Sequence, residues 1–340
     1  MRAIVLLGAG GVDVLALRSV PDPVPGAQQL RVRVHAAGLN RADVHQRRGN
    51  YPAPPGWPAD IPGMEYAGEV ESLGPGVTRW KLGERVMGLV GGGAHAEYVV
   101  VHEDEALPVP PELSWSEAAA IPEAFLTAYD ALHARGRLKA GERLLLHAVG
   151  SGVGTAAIQL AKETGAIVLG TSRSRAKFAQ LIPLGLDQGI DTGAASFREQ
   201  VTPPVDVILD VLGGPAFEDN LAVLAPRGRL IMLGFLQGPL TPPASLDRIL
   251  RQRLEVIGSV MRTRGMEERA ALVAEFRAKV LPLFGLHVAT EEPLRSAGHP
   301  ERRAGSLHPV VYAVFRMEEV AAAHQAMERN AGVGKIVLTW

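Results

Sequence analysis

Between a short apolar run and a helical one stands His147-Ala148-Val149-Gly150-Ser151-Gly152-Val153-Gly154-Thr155. A glycine-rich turn of this kind lets backbone N–H groups approach a pyrophosphate, and the helix that starts there favours its negative charge. The spacing departs from the full GxGxxG pattern, and small residues at a strand–helix turn also serve plain close packing. Because the turn opens a run of alternating strands and helices, Gly150, Ser151, Gly152 and Val153 read as a dinucleotide-binding turn.

The nucleotide is chosen at the end of the next strand. A protein that selects NAD places an acid there, about 20 residues after the glycines, to hold the ribose hydroxyls. Here the chain reads Gly170-Thr171-Ser172-Arg173-Ser174-Arg175-Ala176-Lys177. Hydroxyls and cations in place of an acid suit a 2′-phosphate, hence NADPH, with Ser172, Arg173, Ser174 and Lys177 as contacts; the alternative is a solvated helix start with ordinary surface arginines.

The elements that must position these residues follow from periodicity. Leu144–Ala148, 166–170, 205–211, 228–233 and 254–258 are short continuous apolar runs, separated by helical stretches near 155–164, 175–184 and beyond Pro215. Such runs, buried on both faces, predict a doubly wound parallel sheet. Before about residue 120 the texture differs: 30–36, 67–73, 84–90 and 96–101 alternate or cluster apolar residues between Gly and Pro turns, as in a mostly antiparallel, barrel-like unit. Ser114 with Glu117 has capping-box spacing and opens a helix, followed by a second over 124–134. Later come a helix over 266–281 with an apolar stripe suited to a core, a helix over 318–327 and a last strand, 335–338. Residues 290–306 are polar and predict a surface excursion.

The 340 residues suffice for two domains, and the hydrophobic share of 47% supports ordinary cores. A net charge of −1 gives no general attraction to nucleic acid or anionic membrane. Without a cysteine the chain has no disulfide, thiolate zinc site, iron–sulfur cluster or cysteine nucleophile. The opening apolar run is broken at Gly8, too early for a signal peptide, and no run approaches the ~20 residues of a membrane span, so the expectation is a cytoplasmic protein.

Five further motifs occur in order: Asn40-Arg41-Ala42-Asp43, Gln46-Arg47-Arg48-Gly49-Asn50-Tyr51-Pro52, Pro62-Gly63-Met64-Glu65-Tyr66-Ala67-Gly68, Ile121-Pro122-Glu123-Ala124-Phe125-Leu126-Thr127 and Gly334-Lys335-Ile336-Val337-Leu338. Together with the glycine turn they resemble the quinone oxidoreductase (zeta-crystallin-like) branch of the medium-chain dehydrogenase/reductase superfamily, particularly its tumour-suppressor-inducible quinone oxidoreductase type. The resemblance implies an α/β fold with a GroES-like β-barrel catalytic domain (1–123 and 263–340) and a doubly wound Rossmann domain (124–262), an active cleft between them, and a homodimer. It adds Thr127, Leu212, Gly213, Phe235 and Lys335 to the cofactor contacts and puts Asn40 and Tyr51 beside nicotinamide and substrate. Relatives of this type carry a tyrosine where Asp191-Thr192 stand here, which weakens the NADPH preference.

The superfamily's alcohol dehydrogenase branch holds zinc through a cysteine, a Gly-His-Glu motif and a further ligand. The corresponding places read Asn40 and Gly63-Met64-Glu65, so no metal is expected. The acceptor must then itself be electrophilic, a quinone or another conjugated carbonyl compound, with Asn40 and the Tyr51 hydroxyl orienting its oxygen and Tyr51 or water giving the proton. Tyr51 is equally readable as a packing aromatic. Glu65 is a candidate for an ion pair tying the domains together, Glu123 for a structural role, and Arg262 and Arg264 for facing the cleft or water. Two other functions fit the same sequence: an enoyl or alkenal reductase, and an NADPH-binding protein with little turnover, structural or RNA-binding.

Overall fold

Along Leu30-Arg31-Val32-Arg33-Val34 the alternating pattern sorts side chains as a half-buried strand must: Leu30, Val32 and Val34 are buried while Arg33 is exposed. This strand belongs to the first of two compact units, built from Met1–Leu126, the chain that follows Met261 and His308–Trp340; the second is built on Thr127–Val260. The computed structural model describes residues 1–242, 244, 246–285 and 306–340. The expected excursion at 290–306 lies outside the described residues except for Ser306.

In the first unit β1 (Arg2–Leu6) and β2 (Leu15–Ser19) form an antiparallel ribbon. A larger sheet contains β3 (Gln29–Leu39), β4 (Glu65–Leu73), β5 (Arg85–Leu89), β6 (Tyr98–His102) and β7 (Ala106–Pro108). The second unit supplies β8 (Arg143–Leu146), β9 (Ile167–Ser172), β10 (Gln188–Asp191), β11 (Val205–Asp210), β12 (Leu224–Met232) and β13 (Glu255–Gly258), before β14 (Val311–Arg316) and β15 (Lys335–Thr339) complete the first.

The sheet of the first unit runs β14-β15-β3-β4-β5-β7. Its spine is β3, whose first half pairs with β6 (Gln29 opposite His102) and whose second half pairs with β15 (Leu39 opposite Ile336). Leu30, Val32, Leu39, Tyr66, Val86, Ile336 and Leu338 make one core from both ends of the chain. Helix Trp115–Ala119 starts as its sequence dictates, with Ser114 Oγ accepting from Glu117 N and Glu117 Oε2 accepting from Ser114 N at 2.8 Å.

In the second unit the sheet runs β10-β9-β8-β11-β12-β13, all parallel. The chain winds outward from β8 through β9 to β10, then returns to β11 on the other side of β8 and winds outward again. This is the Rossmann order, and it puts a topological switch point between the carboxyl ends of β8 and β11. The edge strand β10 carries only one buried residue, Ile190, which is why periodicity did not announce it. The single helix expected over 175–184 is instead three short turns, Arg175–Lys177, Phe178–Leu181 and Ile182–Leu184. Pro183 cannot donate an i→i−4 bond and tightens the last of them.

Candidate active and nucleotide sites

Strand β8 ends at Leu146, and Ala148 then turns the chain with φ of 49°, a left-handed conformation uncommon outside glycine. The helix Gly152–Thr164 begins immediately after, its N-cap Ser151 accepting from Gly154 N at 3.1 Å. Ser151 itself is exposed, so its hydroxyl lies at the open end of the turn. A Cβ at Gly154 would stand 2.3 Å from the carbonyl oxygen of Val149, so glycine there lets the helix start press against the turn. Gly150, Ser151, Gly152 and Val153 thus lie at the switch point, where a helix N-terminus meets the carboxyl end of a parallel sheet. That geometry fits a dinucleotide pyrophosphate.

Across the switch point, β11 ends in Asp210, fully buried, whose carboxylate accepts from Leu212 N at 2.8 Å and Gly213 N at 3.2 Å. Gly213 has φ of 94°, and a Cβ there would stand 2.8 Å from Phe235 Cδ1. The expected contacts Leu212, Gly213 and Phe235 therefore lie together, with Asp210 holding the turn of Leu212 and Gly213 and Phe235 packed beside Gly213. Burial pushes the Asp210 carboxyl up, opposed by the nearby His147 and by the two backbone donors. His147 is buried as well; Thr171 Oγ1 lies 3.0 Å from its Nδ1 and Asn220 Oδ1 2.7 Å from its Nε2, which suits the neutral ring. Burial lowers its basicity. Neither Asp210 nor His147 was singled out from sequence, although an acid closing the run Val205-Asp206-Val207-Ile208-Leu209-Asp210 was a visible signal.

At the end of β9, Ser172 Oγ accepts from Ser174 N and donates to Ser174 O, both at 3.1 Å, forming a small hydroxyl turn. Arg173, Ser174 and Arg175 are exposed, and Lys177 is half-buried with its basicity lowered by burial and by Arg173. This cationic turn is on β9, the immediate neighbour of β8. Thr127 is also in the second unit, buried on helix Pro122–Tyr129.

The remaining candidates belong to the first unit. Asn40 follows β3 and is the N-cap of helix Arg41–Arg47, and its backbone N–H donates to Asp43 Oδ2 at 2.7 Å; Asp43 Oδ1 accepts from Gly63 N at 3.1 Å. Lys335, expected among the cofactor contacts, lies beside Asn40. Its Nζ donates to Glu65 Oε1 at 2.6 Å, to Leu39 O at 3.0 Å and to Asn40 Oδ1. Glu65, fully buried, also accepts from Asn40 Nδ2 at 2.9 Å and, through Oε2, from Glu123 N at 2.8 Å. The ion pair anticipated for Glu65 joins two distant segments of one unit and does not tie the units together.

Tyr51 is half-buried under Arg262, whose guanidinium carbon lies 4.7 Å from the ring centroid. Arg262 is buried rather than facing water and donates to Gly91 O, Tyr51 O and Gln46 Oε1. Burial raises the Tyr51 phenol above its ordinary value; Glu123 and Asp43 add to the rise and Arg262 opposes it. Asp43 and Glu123 are the neighbours of the Asn40 cluster, so Asn40 and Tyr51 share one environment.

Residues 152–277 match the family model described as zinc-binding dehydrogenase, and residues 26–111 match the alcohol dehydrogenase GroES-like domain. A quinone oxidoreductase of Pseudomonas aeruginosa is 33% identical over 340 residues, covering 97% of this chain and 96% of its own. The synaptic vesicle membrane protein VAT-1 homolog of Homo sapiens is 31% identical over 347 residues, covering 99% and 86%. The chain belongs to the medium-chain dehydrogenase/reductase superfamily. The solved quinone oxidoreductase from Thermus thermophilus, whose structures include a complex with NADPH, aligns over 100% of both chains with a TM-score of 0.82 and 33% identity. Within the superfamily fold the two units described above are the GroES-like domain and the Rossmann domain, and the protein is an oxidoreductase of this class.

The name of the first family model raises zinc, and the residues present do not fit it. Among the described residues no group of three or more His, Asp or Glu side chains is arranged to hold a metal ion. Glu65, the acid of the Gly63-Met64-Glu65 segment, is already paired with Lys335 at 2.6 Å. No described helix is long and apolar enough to cross a membrane.

Proposed function

We propose that this superfamily member is a zinc-independent, NADPH-dependent reductase of quinones and related conjugated carbonyl compounds. One observation supports the cofactor choice above others: the glycine turn lies at the switch point of a Rossmann-ordered sheet, and the neighbouring β9 ends at Ser172 and is followed by Arg173, Ser174 and Lys177, with no acid among residues 172–177. An anionic 2′-phosphate is attracted by that turn, and the carboxylate of Asp191, opposite Ser172 on β10, is already engaged by Gly193 N.

Bound nicotinamide supplies a hydride, and the chain's own residues place its target. Asn40 and the Tyr51 hydroxyl orient the acceptor oxygen, and the high phenol pKa keeps Tyr51 protonated as a hydrogen-bond donor across the physiological range. With Glu65 paired to Lys335, the local machinery polarises a carbonyl by hydrogen bonds rather than by a metal. An acceptor that is already electrophilic requires no more. The quinone oxidoreductase relatives support the choice of acceptor class.

The test is NADPH and NADH consumption by the purified protein with 1,2- and 1,4-quinones, short alkenals and enoyl thioesters. The expected result is NADPH-preferring turnover of quinones. Higher kcat/KM for an enoyl thioester or alkenal would reassign it as an enoyl or alkenal reductase. NADPH binding without oxidation across the panel would make it a nucleotide-binding protein with another role.

A further inference from the structure

The carboxamide of Asn40 is read from both sides by charges of opposite sign. A lysine ammonium only donates, so the amide atom facing Lys335 Nζ is Oδ1; a carboxylate only accepts, so the atom 2.9 Å from Glu65 Oε1 is Nδ2. The amide therefore has one permitted orientation. A Cβ at residue 38 would stand 2.1 Å from Glu65 Oε1, so Gly38 makes room for the carboxylate that performs this reading. All three donors of Lys335 are engaged by Leu39, Asn40 and Glu65, and the side chain is buried. Of the two Nδ2 hydrogens, one goes to Glu65 and the other has, among the described residues, only Gly38 O at 3.5 Å, at the margin of bonding.

We propose that Lys335 and Glu65 are positioning residues for the acceptor: together they hold the Asn40 amide so that its weakly engaged Nδ2–H is the donor presented to the acceptor oxygen, and Lys335 makes no contact with the cofactor. This rests on the reading of Asn40 given above and adds the polarity of its contact. Acceptors with an exposed carbonyl oxygen fit such a donor. A group that could only donate would find the Asn40 oxygen already occupied.

The experiment is a mutant cycle in the full-length protein. Glu65→Gln/Lys335→Met removes both buried charges at once, so neither is left uncompensated and the fold is retained. Lys335→Arg is the conservative control, and Asn40→Ala is made alone and together with the charge-pair change. Fluorescence titration gives the NADPH Kd, and kinetics at saturating NADPH give kcat/KM for 1,4-benzoquinone.

The expected result is an NADPH Kd within about twofold of the parent for the double variant, a kcat/KM lower by about tenfold, and partial recovery with Lys335→Arg. The Asn40→Ala loss and the charge-pair loss should not add, because both act through one amide. A weaker NADPH Kd with unchanged acceptor kinetics would make Lys335 a cofactor contact and overturn the proposal. Additive losses would overturn it while leaving Asn40 as an acceptor contact. Parent-level activity in Asn40→Ala would remove the role of Asn40 and this inference with it.

Discussion

Arg262 lies over the ring of Tyr51, with its guanidinium carbon 4.7 Å from the ring centroid, and also donates to the Tyr51 carbonyl at 2.9 Å. The arginine thus fixes both the side chain and the backbone of the residue read as proton donor. Tyr51→Phe keeps the stacked ring and the carbonyl bond while deleting only the hydroxyl. Folding stability should change by less than about 1 kcal/mol, whereas kcat for quinone should fall by about tenfold or more if the phenol donates. Unchanged turnover would assign the proton to water. Because burial raises the Tyr51 pKa, an alkaline limb due to its ionisation should begin only above its ordinary value near pH 10, as a kcat/KM profile can show.

Arg262 itself should be costly to remove. Arg262→Met leaves the carbonyl of Gly91, the carbonyl of Tyr51 and Gln46 Oε1 without their donor in a buried place. A loss of about 3 kcal/mol by urea denaturation is expected. A variant as stable as the parent would show that solvent reaches these acceptors.

Nucleotide preference should follow the end of β9. Ser172→Asp introduces the carboxylate that ribose hydroxyls use and that a 2′-phosphate repels, so the ratio of NADPH to NADH affinities should fall by about 100-fold. Lys177→Ala should weaken NADPH by about tenfold and leave NADH nearly unchanged. Parallel titrations of both nucleotides decide; equal losses for the two would place the 2′-phosphate elsewhere.

Gly154→Ala tests the close approach at the switch point. The added Cβ would meet the Val149 carbonyl oxygen at 2.3 Å, a backbone atom with little freedom to move. The variant should lose about 1–3 kcal/mol and bind NADPH more weakly, since the helix start must back away from the turn. Calorimetry and the same titration check both effects.

Much of this was legible in the chain because the strands of the second unit are continuous apolar runs and the glycine turn follows the first of them. Strand β10 was not, because an edge strand with a single buried residue has no period to display. The Asn40 and Lys335 candidates came from motif order, yet their pairing could not: a sequence separation of 295 is bridged only by the register of β15 against β3. Asp210 and His147 stayed hidden because a polar residue ending a buried strand reads the same whether it braces a turn or points to water. Arg262 illustrates the same limit, since its position after the last parallel strand fits both a buried and a solvated arginine.

Acid should destabilise the fold through its buried histidines. Burial lowers the basicity of His95, His147 and His324, that of His324 to about 3, where Arg47 also donates to its Nδ1. In the unfolded chain each takes up a proton near its ordinary pKa of about 6.5. Below that pH the unfolded state binds more protons, so stability falls by up to about 1.4 kcal/mol per pH unit for each such histidine, and above it the contribution is constant. Urea denaturation between pH 7.5 and about 5 should show this slope, and His324→Gln should make it shallower by close to one proton. A slope unaffected by that change would mean that His324 is accessible to protons in the native state.

Strand β15 is not at the margin of its sheet but between β14 and β3. The middle of the GroES-like unit therefore stays open until β15 has left the ribosome, whereas the six strands of the parallel sheet, all between Arg143 and Gly258, have emerged well before. During synthesis the nucleotide fold thus has the opportunity to form first, while the amino-terminal strands wait with Leu39 and its neighbours unpaired on the β15 side. The Asn40 amide acquires its orientation only when Lys335 arrives, so the Asn40, Glu65 and Lys335 cluster is assembled after the strands of the parallel sheet have been made.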